Sequence, residues 1–132
     1  KTLACLSTPA ILPTISIWFR STTPFNQARG LWRKGISSSV VSVHTLKPLD
    51  TEMILQVARQ SKVLLTLEEH SIYGGLGSTV AALLMQKKVF LPLKIVGLVN
   101  EYEVSGSQEE IFAHYGITPS RLADAAKALL FS

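Results

Sequence analysis

Cysteine is nearly absent: Cys5 is the single thiol in 132 residues, so no disulfide can close within the chain. That scarcity makes a reducing compartment, with the cytoplasm as default, the expected setting. Charge is also sparse, at 17% of residues, and the net +4 arises from 13 Lys and Arg against 9 Asp and Glu. These basic residues are scattered instead of forming a stripe interleaved with aromatics, which argues against a nucleic-acid partner. Long apolar runs are missing too. Hydrophobic residues come in short blocks broken by Lys, Gly, Pro or Ser, far below the roughly 20 needed to span a bilayer, so no membrane partner is expected.

Chemical constellations are equally thin. His44, His70 and His114 are far apart in sequence and form no H-x-x-x-H pair, so no metal site is assigned. No G-x-S-x-G elbow occurs, and the serines fall in turns, caps and a strand. No residue is assigned a catalytic, cofactor-binding or metal-binding role.

What the chain does contain is core material, with 47% hydrophobic residues. This suits one globular domain over residues 1–132, without repeats, low-complexity tracts or an internal linker. Lys1 in first position, with strand-like residues from Thr2, reads as a fragment, a trimmed subunit or an excised domain.

Along the chain, Leu3 to Leu6 suits a buried strand ended by Ser7, Thr8 and Pro9. Ile11 to Ile17 could open a helix, but Pro24 and its threonines predict a loop from Trp18 to Asn26, before helix resumes from Asn26 to Lys34. Ile36 to Val43 is β-branched and reads as strand. Asp50 caps a helix over Thr51 to Gln60, in which Met53, Ile54, Val57 and Ala58 share one face. Val63 to Leu67 and Phe90 to Val96 read as strands, and between them Val80, Ala81, Leu83 and Leu84 line a helix. Ser107 and Glu110 have capping-box spacing for a short helix that Gly116 ends. Thr118 and Pro119 open the last helix, with Leu122, Ala125, Ala126 and Leu129 facing inward. Strands alternating with helices at short connections predict an α/β fold with a mostly parallel sheet of about four strands.

The most informative segment is Glu68-Glu69-His70-Ser71-Ile72-Tyr73-Gly74-Gly75-Leu76-Gly77-Ser78, where a strand gives way to a helix. Backbone N–H groups of Gly74, Gly75, Gly77 and Ser78 could form a weak anion site there, and Glu69 or His70 could move protons. The structural alternative is weightier, since glycines also let a helix approach a sheet closely. A dinucleotide fingerprint is poorly matched, because Val80 stands where a third small residue belongs.

Several segments together resemble the C-terminal domain of transketolase-like enzymes: Ser7-Thr8, Gly35-Ile36, His44-Thr45-Leu46-Lys47-Pro48-Leu49-Asp50, Glu68 to Ser71, and Gly74 to Ser78. The likeness continues through Gly97, Ser105 to Glu110, and Tyr115 to Thr118. It implies a three-layer α/β/α sandwich shared by transketolases, deoxyxylulose phosphate synthases and 2-oxo acid dehydrogenase β subunits. Thiamine diphosphate and magnesium lie, in that family, between pyrophosphate-binding and pyrimidine-binding domains, neither of which is in this chain. The resemblance therefore implies no cofactor held by this chain, and the missing domains or subunit as partners. Two readings stay open beside a two-carbon ketol transferase acting on sugar phosphates: the same domain in one of the other two enzymes, or a freestanding anion-binding module. The family's leading edge strand is absent here, and Pro9 replaces a usual Gly. The uncovered strand edge and apolar surface predict a homo-oligomer.

Overall fold

The protein is described by a computed structural model covering residues 15–19, 38–99 and 105–131. Among the described residues the strands are β1 (Ile15–Phe19), β2 (Ser38–Ser42), β3 (Val63–Ser71) and β4 (Leu93–Leu98). The helices among them are α1 (Thr51–Gln60), α2 (Leu76–Gln86), α3 (Gln108–His114) and α4 (Pro119–Phe131). All strand pairs are parallel and the order is β2-β1-β3-β4. β1 is central, with Ile15 opposite Ser38 on one side and Val63 on the other.

The side chains of β3 explain the layering. Successive residues point to opposite faces of a strand. Val63, Leu65 and Leu67 pack with Ile117, Leu122, Ala123 and Ala126, so α4 covers that face. Leu64 packs with Ile54 and Ala58 of α1 and with Leu76, Val80 and Leu84 of α2, so those helices cover the other. Burial on both faces produces the near-continuous apolar run of a central parallel strand. The architecture is the expected α/β/α sandwich with a parallel sheet of four strands.

Local chemistry sets the helix ends. The Asp50 carboxylate accepts from the Met53 N–H at 3.0 Å and caps α1. At α3 the capping box forms in both directions: Ser107 Oγ accepts from the Glu110 N–H, and the Glu110 carboxylate accepts from the Ser107 N–H at 2.8 Å. Thr118 Oγ1 accepts from the Arg121 N–H at 3.4 Å at the start of α4.

Expectation and structure part at the beginning of the chain. Ile15–Phe19 is a strand, not the tail of a helix, and it takes Trp18 and Phe19 out of the expected loop. Its isoleucines and aromatics favour a pleated ladder, and its backbone is paired on both sides; a five-residue run, apolar but for Ser16, is too short for its period to separate strand from helix. The expected strand at Leu3 to Leu6, the helix at Asn26 to Lys34, and the loop beyond Phe19 lie outside the described residues. β3 runs on to Ser71 instead of ending at Leu67, and β4 begins at Leu93, leaving Phe90 exposed before it. On α4 the sequence reading missed Ala123, which is buried, whereas Ala125 and Leu129 are partly buried.

Two outcomes follow for stability. Leu64→Ala and Leu65→Ala should each cost about 2–5 kcal/mol in chemical denaturation, because both faces of β3 are covered; a cost for only one would contradict the three layers. The bonds from the Ser107 N–H and hydroxyl hold the Glu110 carboxyl below the usual carboxylate range. A depressed folded value means the capping box stabilises fully above the usual glutamate pKa and loses its effect as pH falls through the lowered one. The Ser107 amide resonance, followed over an acid titration, should therefore move at lower pH than that of an unstructured glutamate reporter.

Candidate functional site

In an open parallel sheet, ligands gather at the carboxyl ends of strands where the strand order reverses. Here β1 leads outward to β2, while β3 and β4 lie on its other side, so the reversal falls between β1 and β3. The turn from β3 into α2 therefore occupies the position where such a fold most often binds a ligand.

The end of β3 is irregular. Leu67 pairs with Val96 but Ser71 pairs with Leu98, so β3 advances four residues while β4 advances two. Such a bulge re-aims side chains locally. The row facing α1 and α2 reads Leu64, Thr66 and then Glu68 inside the irregular stretch, and all three are at most 2% exposed. Thr66 Oγ1 is buried without a hydrogen-bond partner. Glu68 is fully engaged: Oε2 accepts from the Leu76 N–H at 2.8 Å and Oε1 from the Gly77 N–H at 3.1 Å.

An anion thus sits on the N-terminus of α2, and it is the protein's own carboxylate. The helix end offers unsatisfied N–H donors and positive potential, and Glu68 meets both without any side-chain cap on Gly75. The glycines make room for it. A Cβ on Gly75 would run into the Glu68 carboxylate, and one on Gly97 of β4 would lie 2.9 Å from Glu68 Cγ. A Cβ on Gly77 would crowd Thr66 Oγ1 and Ile95, which sets how closely α2 lies on the sheet.

The four residues expected to form an anion-binding turn are therefore together, with distinct tasks. Gly74 turns the chain with φ at +74°, a region that suits glycine. Gly75 is the N-cap, and its carbonyl accepts from the hydroxyls of Ser78 at 3.1 Å and Thr79 at 2.7 Å. Gly77 donates to Glu68. The proton-transfer expectation falls on Glu69 and His70, while the structural alternative lets the adjacent carboxylates Glu68 and Glu69 cap a neighbouring turn; Glu68 is the one bonded to the start of α2. The missed signal was the alternation along β3, which puts Glu68 on the inward row with Leu64 and Thr66.

Other candidates stay dispersed. His44 lies 3.3 Å from Ser42 Oγ, His70 is exposed at the end of β3, and His114 meets Tyr115 edge-on at 4.9 Å. Among the described residues no three His, Cys, Asp or Glu side chains group as metal ligands, and no helix is long and apolar enough to cross a membrane.

A parallel sheet covered on both faces, with its strand order reversing between β1 and β3, places the chain in the doubly wound α/β class. The family described as transketolase, C-terminal domain, matches residues 25–122, and the chain belongs to it. Ser7, Thr8 and Pro9 precede that match. The chain is 38% identical over 96 residues to an apulose-4-phosphate transketolase subunit of Phocaeicola vulgatus, covering 73% of this chain and 30% of that protein. It is 40% identical over 93 residues to the 1-deoxy-D-xylulose-5-phosphate synthase of Proteus mirabilis, covering 70% of this chain and 15% of that protein. A solved structure titled as a split-gene transketolase, inactive β4 tetramer, superposes with a TM-score of 0.80 at 30% identity, covering 90% of this chain and 40% of that one. The chain thus spans under a third of either curated relative.

Substitution of Glu68 tests the internal cap. Glu68→Gln replaces one acceptor by a donor facing an N–H, and hydrogen bonds to a charged group contribute about 1.5–3 kcal/mol each, so denaturation should register a loss in that range. Glu68→Ala leaves both N–H groups buried and unmet, and acetate or formate should raise its melting temperature more than that of the wild type. Equal salt responses in the two proteins would contradict a carboxylate-filled helix end.

Proposed function

We propose that this chain is the C-terminal assembly domain of a thiamine diphosphate-dependent transferase that moves two-carbon ketol units between sugar phosphates, with the cofactor and magnesium held by other domains or a partner subunit. The observation that carries this reading is Glu68 on α2. A diphosphate at the switch point would compete with a buried carboxylate for the same N–H groups and meet its negative charge. The described residues at the crevice thus do not fit the cofactor, and no catalytic step is assigned to them.

The work left to such a domain is contact. Tyr73 is 69% exposed and Val99 47% exposed, both beyond the carboxyl ends of β3 and β4, where the Ile72 N–H donates to the Leu98 carbonyl at 3.0 Å. Large apolar side chains in such positions suit a protein partner. The similarity to a protein named as a transketolase subunit, and to a structure titled as a β4 tetramer, supports a separate partner subunit and association of copies.

A second reading is favoured by the 40% identity to a 1-deoxy-D-xylulose-5-phosphate synthase: the same assembly role in an enzyme that condenses pyruvate with an aldehyde. Donor choice separates the two. The chain alone should neither bind thiamine diphosphate with magnesium in calorimetry nor transfer ketol groups, whereas addition of the pyrophosphate- and pyrimidine-binding domains should restore turnover. Turnover with a ketose phosphate donor supports the first reading, and turnover with pyruvate supports the second. Tight stoichiometric cofactor binding by the lone chain would overturn both.

A further inference from the structure

On the side of the sheet covered by α4, a pocket of about 280 Å³ opens between β4 and the turn joining α3 to α4. That volume is near the lower end of small-ligand sites, about 300 Å³. Leu122, 2% exposed, and Ala125 contribute apolar lining from α4, Gly97 contributes backbone from β4, and Tyr115 supplies a phenol ring. Two cations also line it, Lys94 from β4 and Arg121 from α4, and among the described residues that line it none is a carboxylate.

The placement of Arg121 is specific. It lies in the first turn of α4, a turn with no acidic residue, where a cation opposes the helix dipole instead of complementing it. Its stem rests on Gly116, which has φ at +75°, and a Cβ there would lie 3.2 Å from Arg121 Cδ. The fold therefore brings two cations, both exposed to solvent, to the rim of one pocket, where a bound anion would meet positive charge from both.

We infer that this pocket binds a small organic phosphate, with Lys94 and Arg121 meeting the phosphate and the apolar lining meeting the organic group. Arginine suits the phosphate because its planar donors can engage two oxygens together. Gly97 borders both this pocket and Glu68, but Arg121 belongs to α4 and Lys94 pairs with Leu65 on the α4 side of the sheet, whereas the Glu68 carboxylate turns to α2; the inference does not rest on the proposed transferase activity.

The test is calorimetric titration of the full-length protein in its native assembly with phenyl phosphate, inorganic phosphate and benzyl alcohol. Phenyl phosphate should saturate, and should bind about tenfold more tightly than either of the other probes. The double variant Lys94→Gln, Arg121→Gln should lose about tenfold or more in phenyl phosphate affinity, while Lys62→Gln should bind as the wild type does. Arg121→Lys, which keeps the charge but loses the planar fork, should bind more weakly than the wild type and more tightly than the double variant, and circular dichroism checks the fold of each variant. Absence of saturable binding, equal affinity in the double variant, or benzyl alcohol binding as tightly as phenyl phosphate would overturn the inference.

Discussion

The contact between the Glu68 carboxylate and the first N–H groups of α2 organises the crevice of this domain. It joins the central sheet to a covering helix at the point where β3 is bulged. A buried carboxylate is tolerated only where fixed donors replace its hydration. The helix end supplies those donors in one step, and the helix in turn loses its need for an outside cap. Gly75 and Gly97 then follow as requirements, because side chains there would displace the carboxylate.

That arrangement also bears on function. The crevice that similar folds open to phosphate groups holds an internal negative charge here, so the described face is shaped for packing. The remaining chemistry lies at the edges. Exposed Tyr73 and Val99 stand at the carboxyl ends of the strands, and a cation-lined pocket lies in the α4 layer. The matched part of the chain spans 30% of the transketolase subunit and 15% of the synthase to which it is similar.

Much of the fold was legible before any coordinates. Asp50, Ser107 with Glu110, and Thr118 mark helix starts through bonds that span three residues, so local sequence suffices to place them. The period of Ile54 and Ala58 likewise gives the buried face of α1. The beginning of the chain was less legible, since Ile15 to Phe19, apolar but for Ser16, is too short to show a period and becomes a strand by pairing with residues more than twenty positions away. Which of the two adjacent carboxylates caps α2 was hidden for a related reason: the partners of Glu68 are eight and nine residues on, across a turn whose path local propensity does not specify.

The sequence by itself determined the α/β class, the helix caps, and the glycine turn after the third strand, because each depends on period or on neighbours within a few residues. Tertiary structure decided which carboxylate fills the helix end, why Gly97 must lack a side chain, and that Lys94 and Arg121 line one pocket. Those three facts depend on the approach of β4 and α4 to elements distant in sequence, and such approaches are set by packing of the whole sheet.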